Sequence, residues 1–541
     1  MIIDARQGAI PSSIECDLCI VGGGAAGLTV AHELADSQLS ICLLEGGGLR
    51  MTAGAQSLLA GEVAGSPYPP LHTVRVSALG GSMHVWAGWC RPLDAIDFEE
   101  RAAVPHGGWP IGLDELRPHY GRAHELLGLG PVDYDPSAWE RACGGARLPL
   151  DDRGFSPILF RRTPVNFGES LRALFARSNR MQLLLHLQAL RLRFSPDRRA
   201  VATAEAATRN GRRFEVRARA FVLAAGGIET ARLLLLSAGE AGGPANPHGV
   251  VGRYFMEHGY DSGRVFVPRD PRATLRFYDA LRMPPGRGGL LARGAVAPSA
   301  ATLKREGLLN CAISLRPAHE SNAVFADPRV RAGLEFWEML RRRAAPDRPW
   351  SKAAYGLTAP LALSTAMWLR VWPLTAIGGK RPALCLFECA PDPENRVELG
   401  SDRDAFDRPV ARLKWRLRDP EIRSVARTYE LLNAGLQASG AGRLEESDVA
   451  APDPKAYKGT VGEHHLGTTR MHRDPRQGVV DENARVHDME NLFVAGGSVF
   501  TTAGFANPTL TIVALAARLA AHLVRHARLW SQPIQSRASF Q

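Results

Sequence analysis

An apolar run, CDLCIV at residues 16–21, leads straight into Gly22-Gly23-Gly24-Ala25-Ala26-Gly27. The run reads as a buried parallel strand, and the glycines fit G-x-G-x-x-G, the turn that joins such a strand to a helix. AAGLTVAHELADS follows as the helix, and SICLLE as a second strand ending at Glu45, 18 residues after Gly27. Each part has a task. Gly22 permits the tight turn, Gly24 lets a phosphate reach the backbone, and Gly27 lets helix and strand pack closely. The helix N-terminus offers free N–H groups and partial positive charge to a pyrophosphate. Glu45 stands where a carboxylate accepts ribose hydroxyls. The spacing predicts a Rossmann-like dinucleotide site; by itself it does not distinguish a flavin from a nicotinamide dinucleotide.

The chain of 541 residues is too long for one ordinary core, which predicts about two to four domains. Its net charge of +11 comes from arginines scattered over the whole length, without a compact basic helix or aromatic-basic ladder, so nucleic acid is not an expected partner. Cys16 and Cys19 form a C-x-x-C beside a buried strand, with no second pair at zinc spacing; reduced core thiols are the expectation for all eight cysteines. The N-terminal MIIDARQGAIPSSIECD carries acidic residues and no long apolar core, so no export signal is expected and the predicted location is cytoplasmic. Residues 353–369 are uncharged, but Pro360 interrupts them and Arg370 follows at once. A buried helix pair or an apolar lid fits better than a membrane span, and no transmembrane segment is expected.

Farther along, MQLLLHLQALRLRF, AVATAEAATR and RRFEVRARA alternate as strands, and residues 221–225 read as a buried strand. Ala224-Ala225-Gly226-Gly227 then turns into a helix from Ile228. Near the C-terminal end, NLFVAGG is another buried strand ending in glycines. PTLTIVALAARLAAHLVRHA reads as a largely buried helix, with Pro508 at its first position and Asn507 at the N-cap. A glycine-loop fold whose sheet is completed so far downstream implies a domain built from separated segments.

Three stretches, VGGGAAGL…LLEGGG, LGGSMHVWAGWCRPLDAIDF and HHLGTTRM…NPTLTI, resemble the glucose–methanol–choline (GMC) oxidoreductases, most nearly the branch with pyranose 2-oxidase and bacterial glycoside oxidoreductases. The similarity spans about half of the chain; residues from about 265 to 375 match nothing. It implies a mixed α/β fold: a Rossmann-like FAD-binding domain assembled from discontinuous segments, and a substrate domain with an antiparallel sheet. The expected boundaries are 1–105, 179–262 and 459–530 for the FAD-binding parts, 106–178 for a cap segment, 263–458 for the substrate domain and 531–541 for a tail. The resemblance also implies oxidation of a hydroxyl group to a carbonyl. The expected substrate is a secondary alcohol of a sugar, glycoside, cyclitol or related polyol, with oxygen or an external carrier as electron acceptor. Two alternatives share the scaffold: a non-redox FAD-containing lyase, and a flavoprotein subunit passing electrons to an external carrier. In pyranose oxidase a histidine of the G-G…H-W stretch holds the flavin covalently. Here Val85 precedes Trp86 and His84 is displaced by one position, so FAD is expected to be non-covalent. The expected cofactor residues are Gly22, Gly24, Ala26, Gly27, Glu45, Gly80, Gly81, Ser82, Ala189, Ala225, Gly226, Gly496, Pro508 and Thr509.

Alcohol oxidation needs a base for the hydroxyl proton and donors for the developing alkoxide, and a neutral histidine suits the first task. His464 and His465 adjoin; in an extended segment their side chains face opposite ways. The family pattern of Gly, Thr and Met after the histidine is met by Gly467, Thr468 and Met471, which makes His464 the expected base. Asn507 aligns with the polar partner that orients the substrate oxygen, and it is also a natural N-cap. The N–H groups of Thr509 and Leu510 are expected to face the flavin's pyrimidine edge, where helix polarity favours the reduced anion. His464, His465, His472 and His487 lack zincin spacing, so no metal is expected. Glu257 and His258, in VGRYFMEHGY, read as a loop with a packed aromatic, although the segment resembles one near the family's flavin. Trp86, Trp89 and Trp109 read as core.

Overall fold

In the computed structural model the described residues are 1–7, 10–239, 242–270, 275–283, 289–316, 379–447 and 459–527, with four positions between 357 and 364. The apolar stretch expected to act as a lid therefore lies almost wholly outside the described residues.

The glycine-loop strand runs from Ser13 to Val21 and is the centre of an eight-stranded sheet. Its first half alternates between exposed and buried positions, and its second half is buried almost throughout. It pairs in parallel with Ile41–Glu45 on one side and with Arg213–Leu223 on the other. The register puts Val21 opposite both Leu44 and Leu223, so three strands end level with one another. Leu492–Val494 adds a parallel partner from the far end of the chain, ending at Val494 opposite Leu223. In open parallel sheets ligands bind where strand C-termini gather, and here sequence-distant strands gather at Val21. The Arg213–Leu223 strand is one element of 11 residues, not the two expected from the pattern. Its start pairs antiparallel with Val201–Ala207 and its end enters the parallel layer, so the change of environment occurs without a break in the chain.

The helix Ala25–Glu33 buries Ala26 through Ala31 and packs against the C-terminal helix Thr509–Ala527. That helix in turn packs on Leu113–Leu126. Its apolar residues cover most of its circumference because it is held from both sides; Leu510, Val513, Ala514 and Ala516 are all fully buried.

A nine-stranded sheet forms the second body of the fold, with every strand pairing among the described residues antiparallel. Its order runs through Gly442–Glu446, His258–Pro268, Arg381–Glu388, Cys311–Leu315, Leu291–Pro298, Phe155–Arg162 and Trp89–Cys90. Two of its short strands, Trp89–Cys90 and Gly459–Val461, come from stretches that the sequence boundaries give to the cofactor domain. At the first the chain enters the antiparallel sheet and at the second it leaves it for Leu492–Val494, and neither strand is long enough to announce its partner. A three-stranded sheet of Arg396–Arg403, Pro409–Trp415 and Gly61–Gly65 completes the sheet structure of the described residues. Among those residues no helix is long and apolar enough to cross a membrane.

Candidate active site

A cleft of about 430 Å³ opens at the level ends of the parallel strands and runs to the edge of the antiparallel sheet. At one end lies the glycine turn. Gly22 sits at φ +108°, in the left-handed region, and a Cβ there would stand 2.5 Å from the Ala224 carbonyl oxygen. Gly24 differs: no protein atom lies within 4 Å of the place its Cβ would occupy, so the space beside it is cleft. Gly24 is also the N-cap of Ala25–Glu33, and no side chain caps that helix. Its first N–H groups are therefore available to an anion. Glu45 accepts the N–H of Gly23 at 2.9 Å and of Gly47 at 2.7 Å, one on each carboxylate oxygen. Burial raises its pKa, and the two N–H groups oppose the rise. Each oxygen keeps lone-pair capacity for a hydroxyl. Free helix N–H groups, an open glycine and a fixed carboxylate are the donor and acceptor set that the pyrophosphate and ribose of FAD require.

Thirteen of the fourteen expected cofactor residues line this cleft: Gly22, Gly24, Ala26, Glu45, Gly80, Gly81, Ser82, Ala189, Ala225, Gly226, Gly496, Pro508 and Thr509. Gly27 does not. A Cβ on Gly27 would lie 2.0 Å from the Gly22 carbonyl oxygen, so its service is to the packing of helix on strand. Gly80 donates to the Gly23 carbonyl at 2.7 Å, which ties the second glycine stretch to the first. His84 is exposed, and its Nε2 lies 2.7 Å from the Leu79 carbonyl oxygen; it is not part of the cleft wall. Trp86 and Trp89, expected in the core, stand on the cleft wall, with the Arg293 guanidinium 4.2 Å from the Trp89 ring centroid. Trp109 is buried as expected, against Phe98 and Phe500. An indole fits a core or a wall equally well, which is why its position was not evident from sequence.

The opposite end of the cleft carries His464, His465 and Asn507. Leu466 and Met256 exchange two backbone hydrogen bonds, of 3.1 and 3.0 Å, and so bring the histidine pair beside Glu257 and His258. Gly467, at φ +84°, allows the approach, since a Cβ there would lie 2.2 Å from the Tyr254 carbonyl oxygen. Glu257 is fully buried. One of its carboxylate oxygens accepts the backbone N–H of His464 at 2.6 Å and of His258 at 2.8 Å; the other accepts the Tyr68 hydroxyl at 2.6 Å. Burial pushes the Glu257 carboxyl up to about 7 against the pull of those three donors.

The two histidines face different neighbours. The His464 ring meets His258 edge to face, with the two Nδ1 atoms 2.7 Å apart. The His465 ring lies among Tyr68 and Phe255, with centroids 6.3 and 6.1 Å away. Burial holds His464 well below its ordinary value, helped by His258 and His465, and pulls His465 down to about 3. Asn507 hydrogen-bonds Tyr260. The helix begins one residue later than expected: the Pro508 carbonyl accepts the N–H of Ile512 at 2.8 Å, so Pro508 is the N-cap and Asn507 lies outside the helix. Of the two helix residues whose N–H groups are expected to face the ring system, Thr509 lines the cleft, and Leu510 is fully buried behind it. His487 Nε2 is 2.8 Å from the His472 carbonyl oxygen, and among the described residues no cluster could hold a metal ion. Sequence reasoning missed the role of Glu257 and His258, although it singled both out; for Tyr68 it had no signal.

Buried neutral histidines make the fold sensitive to acid. A histidine with a depressed folded pKa costs nothing above about pH 6.5, where it is neutral in both states; below that, the unfolded chain takes up protons that the folded one refuses. Each unit of depression is worth ~1.4 kcal/mol at full effect. His258, pulled down to about 4, acts in the same direction as His464 and His465. The expected outcome is a urea midpoint that falls steadily from pH 6.5 toward pH 4. His465→Phe, which keeps an aromatic ring against Phe255, should flatten that slope; an unchanged slope would show that His465 does not titrate as its burial requires.

Comparison with known proteins adds the chemistry. The GMC oxidoreductase family profile matches residues 391–516, and the FAD dependent oxidoreductase profile matches residues 17–255. The chain is 26% identical to 2-methyl-1,2-propanediol dehydrogenase of Mycolicibacterium austroafricanum, over 82% of this chain and 80% of that one. It is 25% identical to the fructose dehydrogenase large subunit of Gluconobacter japonicus, over 94% of this chain and 97% of that one. Its fold is similar to that of pyridoxine 4-oxidase from Mesorbium loti, with a TM-score of 0.54 at 19% identity, covering 94% of this chain and 99% of that one. The two profiles cover the glycine turn and the His464–Asn507 segment, the two ends of the cleft: the chain is similar to the GMC oxidoreductases over residues 391–516 and to the FAD dependent oxidoreductases over residues 17–255, and its cofactor is FAD.

Proposed function

We propose that this enzyme oxidises a secondary hydroxyl of a sugar, glycoside, cyclitol or related polyol, with His464 as the base and Asn507 as the group that orients the substrate oxygen. FAD, when bound, supplies the acceptor for the hydride that leaves the carbinol carbon as the carbonyl forms. The observation that carries the reading is the state of His464: it stands on the cleft wall, burial keeps its ring neutral, and its Nδ1 is already engaged by His258. A neutral imidazole with one nitrogen unspent is equipped to take a hydroxyl proton. Asn507 has its amide steadied by Tyr260 and is not consumed as a helix cap, so it is available to the same oxygen. The aromatic wall of Trp86, Trp89 and Tyr260 suits the apolar faces of a sugar ring. Non-covalent attachment is supported by the orientation of His84 away from the cleft, and by eight free cysteines, none of which lines it. Buried free thiols also fit a reducing, cytoplasmic compartment.

A second reading concerns only the electron acceptor. One relative is named as the large subunit of a dehydrogenase, which favours transfer to an external carrier over transfer to oxygen. Turnover with an artificial dye under argon, compared with turnover under air, separates the two.

The primary test is anaerobic mixing of the yellow protein with D-fructose, D-glucose, methyl glucoside and myo-inositol. Bleaching of the flavin band is expected with at least one of them, and a band that persists with all four would count against the polyol reading. With the best reductant, His464→Ala should keep FAD and lose about 10²–10⁴-fold in the rate of bleaching, the usual worth of a general base. The same loss from His465→Ala, with His464→Ala unaffected, would reverse the assignment. Acid precipitation should release all of the flavin into the supernatant. Two glycine variants separate cofactor binding from folding. Gly24→Val should yield folded, colourless protein, because its side chain enters only the cleft. Gly27→Val should not fold, because its side chain collides with the Gly22 carbonyl. Yellow Gly24→Val protein would contradict the placement of the pyrophosphate.

A further inference from the structure

We infer that His258 is a positioning residue: it fixes the ring tautomer of His464 so that the Nε2 lone pair of His464 is left for the substrate hydroxyl. This rests on the reading of His464 as the base. The two Nδ1 atoms lie 2.7 Å apart, a hydrogen bond that can contain one proton. Two neutral imidazoles carry one ring proton each. One ring must therefore be the Nδ1–H form, donating, and the other the Nε2–H form, accepting. If His464 were the acceptor, its proton would sit on Nε2, and that nitrogen would have no lone pair to offer the substrate hydroxyl. If His464 is the donor, Nε2 is a free base.

The surroundings of His258 decide between these. Its side chain is fully buried. The backbone oxygens of Ala503 and Gly504 stand beside the ring and favour an N–H there. With Nδ1 occupied by His464, that N–H falls on Nε2. A lone pair on Nε2 would instead be buried among oxygens with no donor to meet it, since no hydrogen bond of normal geometry reaches this atom. His258 Nδ1 is then the acceptor and His464 Nδ1–H the donor. Glu257 keeps the pair in contact, because one carboxylate oxygen holds the backbone N–H of both residues, at 2.6 and 2.8 Å. When His464 Nε2 takes the substrate proton, its Nδ1–H becomes a charged donor and the bond to His258 strengthens. The neighbour thus both orders the tautomer and steadies the cation that follows, without carrying a charge of its own.

The test is the position of the ring protons. In protein labelled with ¹⁵N-histidine, prepared with FAD and again without it, long-range proton–nitrogen spectra distinguish a protonated ring nitrogen from a lone-pair nitrogen. The His464 signals are identified by their loss in His464→Ala. The expected result is His464 protonated at Nδ1 and His258 at Nε2; His464 protonated at Nε2 would overturn the inference. In His258→Leu, His464 should lose its Nδ1–H preference. The bleaching rate at saturating sugar should fall by about 10²-fold, the lower end of a general base's worth, with FAD retained and the half-saturating concentration little changed. His258→Asn, whose side-chain oxygen can accept from His464 Nδ1, should recover most of that loss. Full rate in His258→Leu would also overturn the inference, and should that variant fail to fold, the wild-type tautomer still decides. Wild-type bleaching in His464→Ala would instead remove the base reading, and the measured tautomer would remain a separate result.

Discussion

The carboxylate of Glu257 is the joint on which the histidine end of the cleft depends. It has no exposed surface, and it binds two backbone N–H groups that are 206 residues apart in the chain. A buried carboxylate without partners is strongly unfavourable, whereas one with three donors is a firm anchor. Removing it would leave two buried amides unsatisfied, each at a cost of about 1–3 kcal/mol. The start of the strand His258–Pro268 and the approach to the C-terminal helix are thus held together at one atom, and the rings of His258 and His464 meet because their backbones do.

The two ends of the cleft are built on different physical terms. The glycine end works by removing atoms. Gly24 has open space where a side chain would be, and Gly22 has a backbone angle and a neighbouring carbonyl that exclude one. What remains is the bare N-terminus of a helix, whose polarity needs no charged residue to attract phosphate. The histidine end works by adding buried polar groups and satisfying them: Tyr68 on Glu257, Glu257 on two amides, one imidazole on another. Steric permission tolerates no substitution at a given position, while a polar network tolerates those that return the same donor or acceptor.

That difference explains how much could be read without the structure. Gly22, Gly24 and Glu45 were legible because the steric demand is local and glycine is its direct record in sequence. Strand structure between 181 and 223 was legible from its alternation, though not the continuity of Arg213–Leu223, and the place of His464 on the cleft from its spacing to Gly467, Thr468 and Met471. The contact of Glu257 with His464 was not legible. It is made through a backbone N–H, which every non-proline residue possesses, and no spacing rule spans 207 residues. Tyr68 reaches the same carboxylate across 189 residues with equally little trace. The tryptophans misled for another reason. Trp86 and Trp89 bury part of each ring against the core while offering the rest to the cleft, so composition supports either place. Asn507 was misplaced by one helical position, enough to exchange a helix cap for an amide held by Tyr260.

Burial acts on the acid and the bases of this cluster in opposite directions, and the difference sets the pH at which the site is ready. Glu257 is raised toward 7, so its folded form holds a proton more tightly than the unfolded chain does; that contribution is full below the unfolded value near 4.5 and is lost as pH rises through about 7. The histidines are lowered, and their cost arises on the acid side, below about 6.5. Three imidazoles outweigh one carboxyl, so the cluster as a whole favours neutral over acidic solution. Near pH 7 every ring in it is neutral, and the carboxyl is the one group close to its own midpoint. A base that is always unprotonated is always available but intrinsically weak, and it gains from a neighbour that can share the proton once it arrives. The His464–His258 contact meets that need in a place where burial rules out a permanent charge.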